Sequence, residues 1–249
     1  MDSDKAHSWM EGHVSVTAAL QGGFRDVQSI YLRKGRWNRA TNRLRELAAG
    51  QDVPVEVVDE AFFAANAGGQ SHGGVLARVG QRRYVPLEML AIGHERPFVV
   101  MLDGIEDPFN FGQAVRACFA AGANGLVLRE RNWLSATAVV TRASAGATEL
   151  IPAAVVPSAL DAATALRAQG LAVACTTRRS AISLYDADLT QAIFMLIGGE
   201  KRGVTRSFLE QADLRLAIPY GRPFEQSLGA APSAAVLAFE LMRQRSAQG

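Results

Sequence analysis

Three segments beyond residue 100 of this 249-residue chain combine glycine with charged or hydroxyl side chains. They run from Asp103 to Arg116, from Ile197 to Gly203 and from Ile218 to Gly229, and each follows an apolar run typical of a buried strand. Ligands of open parallel sheets bind beyond the carboxyl ends of the strands, and glycine lets a ligand approach the bare backbone. The three segments, together with the turn after Cys175, are therefore the predicted ligand site.

Four side chains in these segments could act on a ligand. Arg116 lies one helical turn after Gly112, near the predicted edge of the sheet, where a guanidinium suits a phosphate. Glu200 follows two glycines and could face a cationic or hydroxyl-bearing ligand. Asn110 and Ser227 stand where each could cap the helix that follows. Helix caps and a plain glycine turn are the alternative interpretations of the same residues.

A cluster of basic residues lies in the first half of the chain, although the net charge is only +2. Its members are Arg33, Lys34, Arg36, Arg39 and Arg43. Several phosphate contacts from such a cluster would bind RNA in a salt-dependent way. A solvated helix face is the alternative interpretation.

Other residues argue against several classes of protein function. The four histidines show no ligand spacing, so we expect no metal site. Cys118 and Cys175 form no Cys-x-x-Cys pair and suit a reduced, cytoplasmic chain. No apolar run reaches the roughly 18–20 residues of a membrane helix, and the polar, acidic start is unlike a signal peptide. The stretch Gly69 to Gly73 matches the Gly-x-Ser-x-Gly elbow of hydrolases, but the predicted strand after it argues against that class.

The spacing of apolar residues predicts alternating strands and helices along the chain, and hence an α/β fold. Residues 1–81 are predicted to form a small α/β domain, and the polar, proline-punctuated residues 82–96 a linker with a short helix over Pro86–Ala91. The elements predicted for the small domain are strands Val27–Leu32, Val53–Val58 and Gly73–Val79 and helices Asn38–Ala49 and Glu60–Asn66.

Residues 97–249 are predicted to form a second domain, an open parallel sheet with helices on both faces. Its predicted strands are Phe98–Leu102, Gly125–Leu128, Leu150–Val156, Leu171–Cys175, Phe194–Ile197 and Leu214–Ile218. Its predicted helices are Asn110–Ala121, Leu134–Ala145, Ser158–Ala168, Thr205–Gln211 and Ala231–Arg245. The last helix carries more apolar surface than one core face requires, which favours a dimer. The residues concerned are Ala235, Leu237, Ala238, Leu241 and Met242.

The order and spacing of the three segments resemble the motifs of the SpoU/TrmH family of RNA ribose 2′-O-methyltransferases. Asn110-Phe111-Gly112 with Arg116 resembles the first motif, and Leu196 to Gly203 resembles the second, Gly-x-Glu-x-x-Gly. Ile218-Pro219 with Ser227-Leu228 resembles the third. The small domain is similar to the family's L30e-like substrate-binding domain, including the strand entry His72-Gly73-Gly74-Val75. The resemblance covers nearly the whole chain.

The resemblance implies a trefoil-knotted SPOUT fold, a homodimer through the last helix and S-adenosylmethionine as the cofactor. The implied substrate is a ribose 2′-hydroxyl of ribosomal RNA, of the 23S type, or else of transfer RNA. The implied cofactor contacts are Thr176, Gly198, Gly199, Ile218, Ser227 and Leu228. The implied catalytic residues are Arg116, which reaches the methyl-transfer site, with Asn110, Glu200 and Ser227.

The residues permit a mechanism that needs no metal. A ribose oxygen attacks a sulfonium methyl in line, and Arg116 would clamp the phosphate next to the target ribose. Either a phosphate oxygen or Arg116 itself would receive the hydroxyl proton. The reaction requires the 2′-hydroxyl, so RNA rather than DNA is the expected substrate.

One position departs from the family pattern. After Ser227-Leu228 the family has Asn, whereas this chain has Gly229-Ala230-Ala231-Pro232. The missing amide would help to orient Arg116 and the cofactor, so an RNA-binding protein with altered or lost catalysis is one alternative. A base-methylating knotted enzyme is a second. A nicotinamide oxidoreductase is a third, suggested only by the strand and helix rhythm and lacking the Gly-x-Gly-x-x-Gly fingerprint.

Overall fold

The computed structural model describes residues 7–69, 72–129, 137–178, 181–199, 201 and 203–247. They form two compact units. The first comprises the described residues up to Arg83 together with Ala145–Leu150, and the second comprises those of 84–144 and from Ile151 onward.

The elements up to Arg83 alternate between strand and helix. They are β1 (Ser8–Glu11), α1 (His13–Gly22), β2 (Arg25–Arg33), α2 (Arg39–Ala49), β3 (Val55–Val58), α3 (Glu60–Asn66) and β4 (Val75–Arg82). The sheet has the order β1-β4-β2-β3, in which β2 and β3 are parallel and the other pairs antiparallel. Ile30 and Leu32 of β2 and Leu44 of α2 lie in its core.

The elements after Arg83 begin with a 3-10 turn over Leu87–Leu90. The first of the others are β5 (Phe98–Asp103), α4 (Pro108–Ala120), β6 (Gly125–Arg129), α5 (Thr137–Ala143), α6 (Ala147–Leu150), β7 (Ala153–Val156) and α7 (Ala159–Ala168). The rest are β8 (Ala172–Thr176), β9 (Ile182–Ser183), β10 (Ile193–Gly198), α8 (Arg206–Gln211), β11 (Leu214–Ala217) and α9 (Ala230–Ser246).

The sheet of the second unit has seven strands in the order β7-β6-β5-β10-β8-β11-β9, and every neighbouring pair is parallel. Val99 and Met101 of β5 belong to the core on the face covered by α7, whereas α4 and α9 pack against β5 and β10. Apolar residues on both faces explain why Phe98–Leu102 is an unbroken apolar run. The predicted α/β class, with a large parallel sheet between helices and a smaller N-terminal unit, is confirmed.

The short helix α6 belongs to the first unit. Glu149 forms a buried ion pair with Arg25, with oxygen–nitrogen distances of 3.0 and 3.2 Å, and Arg25 also donates to the Gly80 carbonyl. A Cβ at Gly22 would lie 1.8 Å from the Glu149 carbonyl oxygen, so only glycine allows this approach. The predicted strand Leu150–Val156 was therefore too long, because Leu150 ends α6 and β7 begins at Ala153.

Several other element boundaries differ from the predictions. The helix after β5 begins at Pro108 rather than at Asn110, because Asp107 caps it and proline is favoured in the first turn. Helix α1 and strands β1 and β9 were not predicted. The first residues of the predicted helix Leu134–Ala145 lie outside the described residues, and its described part is Thr137–Ala143.

Within the described part of the chain, no helix is long and apolar enough to cross a membrane. The same residues contain no group of three or more His, Cys, Asp or Glu side chains that could hold a metal ion.

Candidate functional site

The three predicted segments begin at one edge of the large sheet. In the parallel pair β5 and β10, Leu102 lies opposite Ile197 and Asp103 opposite Gly198. Thr176, at the end of β8, lies opposite Leu216 of β11. The strands are parallel, so all their carboxyl ends meet at this edge, where α/β proteins bind ligands.

The first and second segments touch through their backbones. The Gly199 N–H donates to the Asp103 carbonyl at 2.6 Å, and a Cβ at Gly199 would lie 2.0 Å from the Gly104 carbonyl oxygen. Exposed Lys201 and Glu106 form an ion pair at 2.5 Å between the same two segments. The neighbouring strand end therefore requires glycine at position 199, whether or not a ligand is present.

The second segment then folds back on itself. The Gly203 N–H donates to the Gly199 carbonyl at 2.9 Å, and a Cβ at Gly198 would lie 2.6 Å from the Gly203 carbonyl carbon. Gly203 has a φ of +59°, which side chains of L-residues rarely adopt. The predicted residue Glu200 lies outside the described residues.

Helix α4 carries the predicted catalytic arginine. Arg116 is exposed and has neither an ion-pair nor a hydrogen-bond partner among the described residues. Gly112 is buried against α5, where an added Cβ would lie 2.7 Å from the Val140 carbonyl oxygen. The prediction that Asn110 caps this helix was wrong, since the Asp107 carboxylate accepts the Asn110 N–H at 2.7 Å. Asn110 itself is half-buried.

The third segment is held by an aromatic hydroxyl. The Leu228 N–H donates to the Tyr220 hydroxyl at 2.9 Å, and the Tyr220 ring lies 6.1 Å from that of Phe224. Ser227 is exposed and does not cap α9, which begins after Gly229 without a side-chain cap. The predicted capping role of Ser227 was therefore wrong.

Arg178, two residues after the end of β8, links that strand end to the third segment and was not predicted. Its guanidinium donates to the carbonyls of Phe224, at 3.0 Å, and of Glu225, and lies 5.6 Å from the centre of the Tyr220 ring. An arginine that follows a strand ending at the predicted ligand edge is the sequence signal that could have pointed to it. Arg178 therefore holds part of the third segment next to the end of β8.

Both cysteines of this unit are buried. Burial raises the pKa of the Cys118 thiol to about 12 and that of Cys175 to about 11. The reactive form of cysteine is the thiolate, so neither side chain is a nucleophile at neutral pH.

The predicted basic cluster lies in the first unit, from the end of β2 to the first turns of α2. Arg33 pairs with Glu60 and is about one-third exposed. The other four cations are exposed and form no ion pair among the described residues. These are Lys34, Arg36, Arg39 and Arg43.

Both parts of the chain match known protein families. Residues 97–239 match the model of the SpoU rRNA Methylase family, and residues 9–85 match a model described as RNA 2'-O ribose methyltransferase substrate binding. A relative from Pseudomonas putida, named 23S rRNA (guanosine-2'-O-)-methyltransferase RlmB, is 32% identical to this chain. That alignment covers 93% of this chain and 94% of the relative.

Solved structures with the same fold include the SpoU methyltransferase AviRb from Streptomyces viridochromogenes. Its TM-score is 0.80 at 23% identity, covering 98% of this chain and 91% of AviRb. AviRb in complex with the cofactor AdoMet gives a TM-score of 0.79 at 23% identity, covering 97% and 92%. Since the first family model matches more than half of the chain and the relative aligns with nearly all of it, the chain belongs to the SpoU rRNA Methylase family of methyltransferases.

Proposed function

We propose that this protein transfers a methyl group from S-adenosylmethionine to a ribose 2′-hydroxyl of RNA in the cytoplasm. The observation that carries the proposal is the meeting of the three family segments at one edge of the parallel sheet, fastened by the Gly199–Asp103 hydrogen bond. The name of the Pseudomonas putida relative favours guanosine in 23S ribosomal RNA as the target. Residues 1–81 would bind the RNA and residues 97–249 would carry the reaction.

The side chains at this edge fit the methyl donor. Ile218, Tyr220 and Leu228 are half-buried, so they offer apolar surface to an adenine ring. The N–H groups of Gly199 and Leu228 are already donated within the protein, so these residues would contact the donor through carbonyl oxygens. The Gly199 carbonyl would use its second lone pair, because it already accepts the Gly203 N–H. The other predicted contacts are Thr176, Gly198 and Ser227. Family membership supports a trefoil knot around these segments.

The chain's own residues would position the RNA rather than activate the methyl donor. Bound S-adenosylmethionine supplies an electrophilic methyl group. Arg116 would hold the phosphate beside the target ribose, and its guanidinium stays protonated in proteins, so a phosphate oxygen is the better proton acceptor. Asn110, Ser227 and Glu200 are proposed to orient the substrate by hydrogen bonds. RNA is selected because DNA lacks the reacting hydroxyl.

We also propose that the active form is a homodimer through α9. Leu237, Ala238 and Leu241, which the sequence assigned to a surplus apolar face, are buried within the protomer. Met242, which the sequence also assigned to that face, is 36% accessible, and Phe239, which it did not, is 43% accessible. Light scattering of the dilute protein should give the dimer mass, and a monomer that is fully active would exclude this arrangement.

The function is tested by incubating the protein with labelled S-adenosylmethionine and unmodified 23S ribosomal RNA or transfer RNA, followed by mass analysis of the nucleosides. We expect 2′-O-methylguanosine from the ribosomal RNA. A methylated base would point to base methylation. RNA and donor binding without any methyl transfer would favour the non-catalytic alternative.

A further inference from the structure

An open groove lies beside the first turns of α2, on the first unit. Its volume of about 720 Å³ falls within the roughly 300–1,000 Å³ typical of pockets for small ligands. Its lining residues are Trp37, Asn38, Arg39, Asn42, Arg43 and Glu46. Arg39 and Arg43 belong to the predicted basic cluster, and Asn38 caps α2. The sequence assigned no role to Trp37, Asn42 or Glu46.

Trp37 is presented to solvent on a well-fixed turn. Its side chain is 53% exposed although indole is among the largest apolar groups, and the Arg45 guanidinium lies 4.9 Å from its ring centre. Gly35 before it has a φ of +81°, and Asn38 after it forms a reciprocal capping box with Thr41. The turn and the cap together fix the backbone on both sides of the indole.

The other lining residues form two stripes along α2. Arg39 and Arg43 are four residues apart and exposed, so both guanidinium groups lie on the same side of the helix. Asn42 and Glu46 form the neighbouring stripe. Glu46 is exposed and has no ion-pair partner among the described residues. The groove therefore combines an aromatic ring, two cations and two side chains that can hydrogen-bond to the edge of a base.

This combination fits single-stranded RNA better than a duplex. Bases stack on aromatic side chains only when they are unpaired, and cations beside the ring follow the phosphates. Paired bases already stack on each other inside the helix and cannot reach the indole. Glu46 would favour a base whose edge carries adjacent N–H donors, as guanine does, over uracil, whose single N–H lies between two carbonyls.

We propose that the groove binds an unpaired nucleotide of the RNA substrate, with its base stacked on Trp37 and its phosphates facing Arg39 and Arg43. The base edge faces Asn42 and Glu46. This inference rests on the proposed function, because it takes the substrate to be RNA.

The test measures the affinity of the full-length protein for two RNAs by fluorescence anisotropy. One is a hairpin with an unpaired loop that contains guanosine, and the other is a blunt duplex of similar length. Trp37→Ala should weaken binding of the hairpin by about tenfold or more, and Trp37→Phe should retain most of the affinity. Duplex binding should not change. Tyr185→Ala is the matched control, because Tyr185 is 54% exposed and lies in the other unit.

The groove's charges give an independent readout. Trp37→Ala should leave the salt dependence of binding unchanged. Arg39→Ala and Arg43→Ala should each lower the slope of log affinity against log salt by the amount expected for the loss of roughly one phosphate contact. Glu46→Gln should reduce the preference for guanosine over uridine in the loop. Hairpin binding by Trp37→Ala equal to that of the wild type would overturn the proposal, as would an equal loss on the duplex. Methyl transfer by these variants is also measured at saturating RNA. This measurement distinguishes failure of the groove proposal from failure of the proposed function, because the proposed function fails only if the wild type methylates no RNA.

Discussion

The guanidinium of Arg116 is exposed on α4 and free of ion-pair partners within the described chain. Arginines on this protein's surface often pair, as Arg167 does with Asp213 and Arg206 with Glu210. An exposed cation without a partner among the described residues, on the helix that follows strand β5, keeps its five N–H donors available for a phosphate. This property of a single residue is what the proposed mechanism uses.

Arg116→Ala should lower methyl transfer at least about a hundredfold, because it removes substrate positioning and any assistance to proton transfer. Binding of S-adenosylmethionine, measured by calorimetry, should stay at the wild-type value. Arg206→Ala removes another exposed arginine, from α8, and should leave the rate unchanged. A wild-type rate for Arg116→Ala would remove this residue from the mechanism.

Gly199→Ala should separate the first two segments, because the added Cβ would lie 2.0 Å from a backbone oxygen that cannot rotate away. We expect the free energy of unfolding to fall by about 1–3 kcal/mol, as for other overpacked positions, and donor affinity to fall with it. Gly221→Ala is the matched control, since no atom lies within 4 Å of the added Cβ. Equal stability of the two variants in urea titrations would contradict the close backbone contact.

Helix α9 begins directly after Gly229, the position at which the family resemblance implies an Asn. Gly229 occupies the N-cap with φ −59° and ψ 160°, and no side chain caps the helix. This φ is negative, so the backbone is not in a conformation reserved for glycine. Pro232 at the third helical position lacks an N–H, so a capping side chain at position 229 could accept only from Ala231.

Gly229→Asn should therefore fold normally and gain at most a few tenths of a kcal/mol in unfolding free energy. Methyl transfer should be unchanged or higher, since the change supplies at the end of the third segment the amide that the family resemblance implies. Gly229→Ala is the control, because it removes the glycine without adding an amide side chain. A fall in donor affinity for Gly229→Asn alone would indicate that the ligand occupies the space the amide needs.

Elements with a strong local signal could be predicted, and those set by distant residues could not. Phe98–Leu102 and Glu60–Asn66 were found because buried strands are continuously apolar and a capped helix has an acidic first turn. The start of α4 was missed although Asp107-Pro108 is a recognised helix start. The end of the short helix at Leu150 depends on Glu149 pairing with Arg25, which no local pattern reveals.

The candidate site divides in the same way. Arg116 and the glycines could be found from their order along the chain, because the strands before them end at one edge. The prediction that Asn110 and Ser227 cap helices was wrong. The N-cap of α4 is Asp107, and the N-cap of α9 is Gly229. Arg178 was missed because its contacts with Tyr220 and Phe224 join segments more than 40 residues apart and follow only from the folded sheet.

The charge of the whole molecule is nearly balanced, but four exposed cations that form no ion pair among the described residues lie close together beside α2. With a net charge of +2, general attraction to RNA is weak, so a few residues should determine the salt dependence of binding. The triple variant Arg36→Ala, Arg39→Ala, Arg43→Ala should lower the slope of log affinity against log salt by about 2. A triple variant with the wild-type slope would place the RNA elsewhere on the protein.

The buried pair of Arg25 and Glu149 also limits how this protein can be recombined. The two residues are 124 positions apart in the sequence yet belong to one compact unit. A chimera that takes residues up to Arg83 from a relative, by a single crossover, would leave Glu149 facing a foreign residue, and a buried charge without its partner is strongly destabilising. The first unit is therefore discontinuous in sequence, and grafting it from a relative requires the helix α6 as well as the N-terminal stretch.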